Sequence, residues 1–414
     1  MLDINLIRKN PDLAKEKIKS RNFDAQAVDR FLDLDTKVNN FLKRIEELRH
    51  ERNVNSKKKP SDEDHAFLKH RKGTIKTLEM GLAEYTKERD KILLSLPNIP
   101  LDDVKIGQSD KDNEIVKTVG ERTKFNFSPK DYLTLTQSLD LIDLNQAALV
   151  SGSRFSYLKG RLVQLQQAVL NFAFKHLIKS GFKPLVPPLM IKDEVMRGLG
   201  YIEGIEEQEK YHFEKDGLYL IATAEHSLIP YHMNQTLKVE ALPLRYFAFT
   251  PAFRREAGSY GQDTRGILRS HQFDKLEMVS FSEPSKSGEE QLHLFSVVEK
   301  LMADLKLPYR VVKMCTGDLV LPSARTFDIE TWLPGQNKYR ETHSCSNCTD
   351  YQARRLRIKF KDKNNQTQFV HTLNSTVFAM GRILIAIMEN YQTKEGTVKV
   401  PKILQKYCGF KEIK

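Results

Sequence analysis

The sequence has no long apolar run and few cysteines. No stretch of its 414 residues approaches the ~20 consecutive apolar residues of a membrane-spanning helix, so we expect no membrane segment. The opening residues, MLDINLIRKNP, contain Asp3 and have no apolar core, so we expect neither a secretory signal nor a typical transit peptide. Only four cysteines are present, which is typical of a reducing compartment. We therefore expect a cytoplasmic protein.

Two of the cysteines, Cys345 and Cys348, form a Cys-x-x-Cys pair. Such a pair is half of a zinc site or a redox pair. A second Cys or His pair is missing at any usable spacing. We therefore expect no structural zinc.

The composition is that of a water-soluble globular chain. Apolar residues make up 40% and charged residues 29%, and the length allows two domains with a large core. The net charge of +12 favours a polyanionic partner, although a Lys-rich genome would produce the same excess.

Two segments near the N-terminus have apolar residues spaced by three and four. A charged, turn-rich stretch at 56–62 separates them. This pattern predicts an antiparallel coiled-coil hairpin of two helices that projects ~45 Å, at ~1.5 Å per residue. The Leu-Pro-Asn-Ile-Pro sequence at 96–100 ends it, because proline cannot continue a helix. The apolar positions are Val38, Phe41, Ile45 and Leu48, then Ile75, Leu78, Leu82 and Tyr85.

The distal half of this arm carries more basic than acidic side chains. They are suited to contact the phosphates of a nucleic-acid stem. An ordinary solvated face, or a surface that binds a protein, has the same composition. The candidate contact residues are Lys43, Arg44, Arg52, Lys57, Lys58, Arg71 and Lys72.

The stretch from Leu244 to Ser280 has two aromatic-rich apolar runs around a polar loop, a pattern that predicts an antiparallel hairpin. Arg254 and Glu256 lie two apart, so we expect them on one face of the first strand. Arg269, Phe273 and Glu277 share a parity on the second. This charged face indicates either a ligand site, since arginine suits phosphate and an aromatic ring suits a base, or an internal Arg–Glu ladder. Spacing alone leaves both open.

Further along, the pattern predicts a helix over Leu158–Ser180 that stops at Gly181 and is followed by a strand. It also predicts a helix from Asn374 to about Tyr391. Gly381 and Arg382 would then lie inside that helix, with Gly381 packed closely and Arg382 placed as an isolated charge.

Three sequence stretches resemble seryl-tRNA synthetases, which are class II aminoacyl-tRNA synthetases. They are Phe-Arg-x-Glu-Ala-Gly-Ser from 253, Asp-Thr-Arg-Gly from 263 and His-Gln-Phe-x-Lys from 271; the Arg-x-Glu corresponds to motif 2 of the class. The resemblance covers residues 1 to about 410. It implies an α+β fold with a tRNA-binding helical arm at 1–100, a linker at 101–120 and a class II catalytic domain at 121–414, mainly an antiparallel sheet flanked by helices.

The resemblance also implies the reaction and the partners. L-Serine would be activated by ATP, with Mg²⁺, to seryl-adenylate and then transferred to the 3′ end of serine tRNA; selenocysteine tRNA is a further candidate. The arm would grip the long variable arm of the tRNA. The helix-Gly-strand-Pro segment resembles motif 1 and implies a homodimer.

At the nucleotide end, the resemblance assigns Arg254 to the α-phosphate and the serine carboxylate. Arg382, which resembles the motif 3 arginine, and Arg269 would serve the outer phosphates. Phe273 would stack on adenine, and Glu256 would contact the adenine amino group or the ribose.

At the amino-acid end, Thr223 and Glu225 would hold the serine ammonium group. Glu277, Asn374 and Thr376 would recognise the serine hydroxyl. A site built to hydrogen-bond a hydroxyl rejects alanine and glycine strongly.

Two further assignments complete the implied site. Glu341 and Ser344 would hold Mg²⁺, because hard oxygen donors suit this ion. Tyr260, in the loop 258–266, would meet the tRNA 3′ end.

The sequence departs from the family at His343, Ser375, Val377 and Phe378, where smaller residues are usual. These changes would either narrow the amino-acid pocket or be absorbed by repacking. They leave two alternatives: a synthetase-like enzyme that charges an acceptor other than tRNA, and a protein that binds tRNA without catalysis.

Overall fold

The computed structural model describes residues 1–55, 62–201, 208–257 and 265–414, and these form two compact units, Met1–Ile99 and Pro100–Lys414. Pro11 opens the second helix, a position where its missing N–H costs nothing. None of the described helices combines the length and the apolar character needed to cross a membrane. The helices of the first unit are α1 Ile4–Lys9, α2 Pro11–Ser20, α3 Gln26–Asn55 and α4 Asp62–Ser95.

The two long helices α3 and α4 pack as the predicted antiparallel hairpin. Ile45, Leu48 and Ile75 are buried between them. The Phe41 and Tyr85 rings lie 5.4 Å apart, centroid to centroid. Residues near the end of α3 contact residues near the start of α4, and earlier residues of α3 contact later residues of α4. The two helices therefore run in opposite directions. The predicted apolar seam is therefore confirmed.

The second unit combines many strands with shorter helices. Its strands are β1 Glu114–Val119, β2 Ile142–Asp143, β3 Tyr157–Leu158, β4 Lys183–Pro184, β5 Met190–Lys192, β6 His212–Phe213, β7 Leu218–Leu220, β8 Thr236–Lys238, β9 Leu244–Phe253, β10 Gln272–Ser282, β11 Tyr309–Lys313, β12 Arg325–Leu333, β13 Lys338–Asn347, β14 Lys359–Lys361, β15 Thr367–Phe369, β16 His371–Ala379, β17 Val398–Lys399 and β18 Glu412–Ile413.

Helices cover parts of both faces of these strands. They are α5 Tyr132–Ser138, α6 Leu144–Ser151, α7 Gly160–Lys179, α8 Asp193–Leu199, α9 Glu225–Leu228, α10 Ser287–Leu305, α11 Tyr351–Leu356, α12 Met380–Asn390 and α13 Lys402–Cys408, with 3-10 turns at Asp110–Asp112, Ile229–His232, Val239–Ala241 and Pro284–Lys286.

Among the described residues, the largest sheet has eight strands in the order β1-β11-β12-β13-β16-β10-β9-β4. All neighbours in this sheet are antiparallel except β4 and β9, which are parallel. Strands β9 and β10 pair from Leu244 opposite Phe281 to Phe253 opposite Gln272, which confirms the predicted hairpin.

Alternation along the central strands separates the two faces of the sheet. Leu276 and Met278 of β10 pack into the main core with residues of α7, α10 and α12. Val279 and Phe281 face the other way and join a second apolar cluster with residues of α8 and α11. Glu277 lies on this second face, next to the end of the second apolar cluster. From there on, the side chains on this face are mostly polar, and we call them the polar stripe.

The segments 101–120 and 374–391 differ from their sequence predictions. The segment 101–120 is not only a linker, because β1 at Glu114–Val119 pairs with β11 at the sheet edge. Its side chains are almost all exposed, and its apolar residues do not alternate strictly with polar ones, so the segment lacks the period of a half-buried strand. The predicted helix from Asn374 is also incorrect at its start: β16 continues to Ala379 and α12 begins at Met380. A strand buried on both faces has no polar alternation to distinguish it from a buried helix.

A β-bulge in β16 decides which way its last residues point. Glu277 of β10 is opposite Thr376, but the next β10 residue, Leu276, is opposite Phe378. Val377 is therefore the extra residue of the bulge. Since a bulge shifts the alternation by one residue, Phe378 turns from the polar face into the main core with Leu276.

Candidate active site

The polar stripe forms the floor of a cleft in the second unit. The cleft has a volume of about 430 Å³, which lies within the ~300–1,000 Å³ of small-molecule sites. The floor residues come from three neighbouring strands: Lys275 and Glu277 of β10, Ser344 and Ser346 of β13, and Asn374 and Thr376 of β16.

The cleft brings together all residues that the sequence assigns to ATP, serine or Mg²⁺. Their individual roles stay predictions. They come from separate parts of the chain: Thr223, Glu225, Arg254, Glu256, Arg269, Phe273, Glu277, Glu341, Ser344, Asn374, Thr376 and Arg382.

Arg254 and Glu256 lie in the cleft for a different reason from the one predicted. Strand β9 ends at Phe253, so neither residue is on the strand. Glu256 has a left-handed backbone with φ of +51°, which costs roughly 1–2 kcal/mol for a residue with a side chain. Its carboxylate Oε2 lies 3.6 Å from Arg269 Nη1. This local conformation, rather than strand parity, aims Glu256 into the cleft.

Arg254 is held by a carbonyl and by an aromatic ring. Its Nε donates to the Ala222 carbonyl at 3.4 Å. Its guanidinium carbon lies 5.2 Å from the centroid of the Phe273 ring. A rigid arginine fork placed in this way faces the cleft with its remaining N–H donors, as recognition of an anion requires.

Arg382 lies in the first turn of α12, not in a helix interior. It forms an ion pair with Glu341, with Nη1 3.1 Å from Oε2, and donates from Nη1 to the Glu341 carbonyl at 3.0 Å. Before it, Gly381 lies against the Ile267 backbone, where an added Cβ would be 2.4 Å from the carbonyl oxygen. The close packing predicted for Gly381 is confirmed, and it fixes where α12 begins.

Glu225 is a buried carboxylate at one end of the cleft. Gln352 Nε2 donates to its Oε1 at 2.7 Å, and the Tyr201 hydroxyl donates to both oxygens at 3.1 and 3.2 Å. Desolvation raises the pKa of Glu225 to about 7, although the Gln352 hydrogen bond opposes the shift. A buried carboxylate of this kind favours a cationic partner.

Lys275 contacts both Thr223 and Glu277, which lie beside Glu225. Its Nζ donates to Thr223 Oγ1 at 3.0 Å and lies 2.5 Å from Glu277 Oε2. Thr376 Oγ1 donates to the same Glu277 oxygen at 3.3 Å. The four side chains form a polar pocket that can both donate and accept a hydrogen bond, which a small hydroxyl-bearing ligand needs.

Glu341 and Ser344 of β13 lie beside a third oxygen donor, Asp328 of β12. Ser344 is directly opposite Asp328 in the sheet and hydrogen-bonds to it. Desolvation and the charge of Glu341 raise the pKa of Asp328 well above its usual range. Desolvation acts in the same direction on Glu341, but the Arg382 and Arg254 guanidinium groups outweigh it and lower its pKa.

The family departures do not line the cleft. His343, Ser375, Val377 and Phe378 are all buried, and none of them belongs to the cleft wall. The His343 ring lies 5.6 Å from the Phe378 ring on the core side of the sheet. These side chains therefore do not narrow the cleft by direct contact, which favours the second of the two outcomes left open by the sequence, repacking.

The sequence reasoning missed Tyr201, Lys275, Asp328 and Gln352. Lys275 had a usable signal, because it has the same parity as Phe273 and Glu277 on β10. The others had none. Gln352 is 127 positions from Glu225, and Asp328 contacts its partner only through strand pairing. Cys345 and Cys348 are buried and are not joined in a disulfide. Burial raises the pKa of Cys345 to about 12.

The predicted tRNA contacts are in separate places. Lys57, Lys58 and Tyr260 lie outside the described residues. On the arm, Arg44 pairs with Glu47 at 3.0 Å and Arg71 with Glu51 at 2.9 Å. Within the described part of the chain, no ion pair involves the remaining three, Lys43, Arg52 and Lys72.

An antiparallel sheet with arginines from a hairpin and from a following helix, facing a cleft, defines the core of a class II aminoacyl-tRNA synthetase. The family model of the tRNA synthetase class II core domain (G, H, P, S and T) matches residues 210–391. The model of the seryl-tRNA synthetase N-terminal domain matches residues 1–100.

Full-length relatives specify the family. The chain is 42% identical to a serine–tRNA ligase of Hydrogenobaculum sp., over 98% of this chain and 99% of the relative. Its fold matches the crystal structure of a Pyrococcus horikoshii seryl-tRNA synthetase complexed with ATP at a TM-score of 0.94, with 41% identity, over 100% of this chain and 99% of the other. It matches a Naegleria fowleri cytoplasmic serine–tRNA ligase in complex with AMP at 0.90, with 33% identity and the same coverage. The chain belongs to the seryl-tRNA synthetase family.

Proposed function

We propose that this chain is a serine–tRNA ligase that activates L-serine with ATP and transfers it to the 3′ end of serine tRNA. The observation that carries the proposal is the cleft floor. One end has a buried carboxylate and a Thr–Glu–Lys pocket whose donors and acceptors match the polar groups of serine, and the other end has arginines from two elements. The full-length likeness to serine–tRNA ligases supports the same activity.

At the serine end, Glu225 and Thr223 hold the ammonium group. The Tyr201 and Gln352 contacts keep the Glu225 carboxylate fixed. Glu277, Thr376 and Asn374 take the hydroxyl. Alanine as a substrate has no hydroxyl and would leave these buried polar groups without a partner. Its binding is therefore weakened by more than the loss of contact area alone would cause.

At the ATP end, Arg254 neutralises the α-phosphate and the serine carboxylate, while Arg382 and Arg269 take the outer phosphates. Phe273 stacks on adenine. Glu256 contacts the adenine amino group or the ribose. The pairing of Arg382 with Glu341 and of Arg269 with Glu256 keeps these charges in place before ATP arrives.

Mg²⁺ fits the oxygen donors of Glu341 and Ser344. Beside Ser344, Asp328 Oδ1 is buried with no hydrogen-bond partner among the described residues, so an oxygen there is open to a further ligand. Carboxylate and hydroxyl oxygens are the ligands this ion prefers. When bound, Mg²⁺ would neutralise phosphate charge.

The reaction needs no covalent intermediate with the enzyme. A serine carboxylate oxygen attacks the α-phosphorus, and pyrophosphate leaves with the bonding electron pair. A terminal ribose hydroxyl of the tRNA then attacks the acyl carbon, and AMP leaves. The protein contributes position and electrostatic neutralisation, which are the main terms in this chemistry.

We also propose the partners implied by the resemblance. Basic residues of the arm contact the long variable arm of the tRNA: Lys43, Arg44, Arg52, Lys57, Lys58, Arg71 and Lys72. Tyr260 meets the 3′ end of the tRNA. Homodimerisation uses α7 and the segment of β4 and the residues after it, because Val163 and Ile178 of α7 and Val186, two residues beyond β4, are exposed apolar side chains. The compartment is the cytoplasm.

ATP–pyrophosphate exchange with each amino acid, with and without tRNA, tests the proposal. We expect exchange with serine alone and no requirement for tRNA. Exchange without subsequent tRNA charging would indicate an acceptor other than tRNA. No exchange with any amino acid, from folded protein, would overturn the enzyme and leave tRNA binding as the activity.

A further inference from the structure

A third segment touches both arms of the β9–β10 hairpin at the base of its loop. It lies between α6 and β3 and includes Arg154 and Phe155. The Phe155 ring lies 5.4 Å from the ring of His271, which precedes β10. Neither Arg154 nor His271 lines the cleft, so the segment acts on the site only through the hairpin.

Hydrogen bonds connect Arg154 to each arm of the hairpin. Its Nη1 donates to the Glu256 carbonyl at 3.2 Å, after β9. Its own carbonyl accepts the His271 N–H at 3.1 Å, before β10. His271 in turn accepts the Arg254 N–H at 2.9 Å through its carbonyl, and its Nδ1 lies 3.0 Å from the Arg254 carbonyl. One residue thus links the backbones that carry Arg254 and Glu256.

The backbone that Arg154 holds is an unfavourable one. Glu256 has φ of +51° and Arg154 itself has φ of +60°. Such conformations persist only where the surroundings over-determine them. If the Glu256 backbone relaxed to an ordinary conformation, its carboxylate would turn away from Arg269 and from the cleft.

We propose that Arg154 is a positioning residue for the nucleotide end of the cleft. Its guanidinium holds the left-handed backbone of Glu256, and its carbonyl aligns His271 and through it Arg254. The serine end, built from β10, β16 and α9, does not depend on the Arg154 guanidinium, because Arg254, which also meets the serine carboxylate, is aligned by backbone hydrogen bonds through the Arg154 carbonyl and His271. This inference rests on the proposed function, because it assigns ATP to the end of the cleft that Arg154 supports.

The test compares Arg154→Ala and Arg154→Lys with the unsubstituted protein, by calorimetric titration with ATP and by serine-dependent pyrophosphate exchange. Loss of a charged hydrogen bond changes an affinity by about tenfold or more. We expect Arg154→Ala to weaken ATP binding and raise the KM for ATP by about tenfold, with the KM for serine unchanged within twofold. Lysine can still donate to the carbonyl, so Arg154→Lys should recover most of the loss.

Arg21→Ala is the matched control, because Arg21 also donates from Nη1 to a backbone carbonyl, that of Asn98, within the first unit and outside the cleft. It should leave both KM values unchanged. Wild-type ATP affinity in folded Arg154→Ala would overturn the inference, and so would equal losses for ATP and serine with a lowered melting temperature. Because ATP titration needs no turnover, it decides the inference even if the proposed ligase activity fails.

Discussion

The helical arm and the cleft use charged residues in different ways. On the arm, Arg49 pairs with Glu79 across α3 and α4, and the two side chains are 53% and 42% exposed. In the cleft, Lys275 and Glu277 pair at 10% and 1% exposure. Exposed charges interact weakly and nearly independently, whereas a buried charge left without its partner is strongly destabilised. A single substitution in the cleft should therefore lower activity strongly, whereas on the arm only several substitutions together should have a large effect.

The largest effect is expected for Arg254→Ala. Removing a preorganised cationic donor from the cleft should lower serine-dependent pyrophosphate exchange by about 10²–10³-fold. The neighbouring Arg255→Ala is the control, since its guanidinium lies over the Tyr211 ring at 5.7 Å and does not line the cleft. Equal losses in the two variants would show that local folding, and not the cleft charge, is responsible.

The second effect requires several arm residues at once. Replacing Lys43, Arg52 and Lys72 together by alanine should raise the KM for tRNA on the order of thirtyfold, at about threefold for each residue replaced. Exchange without tRNA should stay within twofold of wild type. The salt dependence of charging should also flatten, by about one unit of slope for each phosphate that the arm no longer neutralises.

A charge-matched variant makes this result specific. Lys9, Lys19 and Lys87 are exposed lysines elsewhere in the first unit, and replacing all three by alanine removes the same net charge. This variant should charge tRNA almost normally. If both triple variants lose charging equally, the effect comes from net charge and the distal arm does not bind tRNA specifically.

The third prediction concerns pH. Desolvation raises the pKa of Glu225 to about 7, so the carboxylate is ionised above that pH and protonated below it. The serine ammonium needs the ionised form. The KM for serine should therefore rise about tenfold from pH 8 to pH 6, because the ionised fraction of a carboxylate with this pKa falls about tenfold in total across that interval, with kcat at saturating serine changed little.

Glu225→Gln should bind serine weakly at every pH, with a flat pH profile of KM. Its neighbour His226 does not produce the effect, because burial lowers its pKa well below the usual range. A wild-type KM for serine that stays flat between pH 6 and pH 8 contradicts the assignment of Glu225 to the ammonium group. So does an unchanged slope in Glu225→Gln.

The two regions also differed in how far their sequence predicted them. The arm follows a local period, and so its helices and the Phe41–Tyr85 contact could be predicted. The cleft depends on strand pairing over long separations. The bulge at Val377 and the left-handed Glu256 have no local signature in the sequence. The residues that the resemblance assigned to ATP, serine or Mg²⁺ all line the cleft, but only the sheet register explains why Phe378 points away from it.

The smallest effect should come from the arm ion pair. A double-mutant cycle of Arg49→Met and Glu79→Gln should give a coupling free energy of about 0.2–1 kcal/mol, because both side chains are solvated. Native-state hydrogen exchange of the α3 and α4 amides measures it locally, independently of how the second unit unfolds. The coupling should fall further at high salt. A coupling free energy above about 2 kcal/mol that does not depend on salt would contradict this prediction. The arm pair would then behave like the buried Lys275–Glu277 pair, and the two regions would no longer differ in how strongly their charged pairs interact.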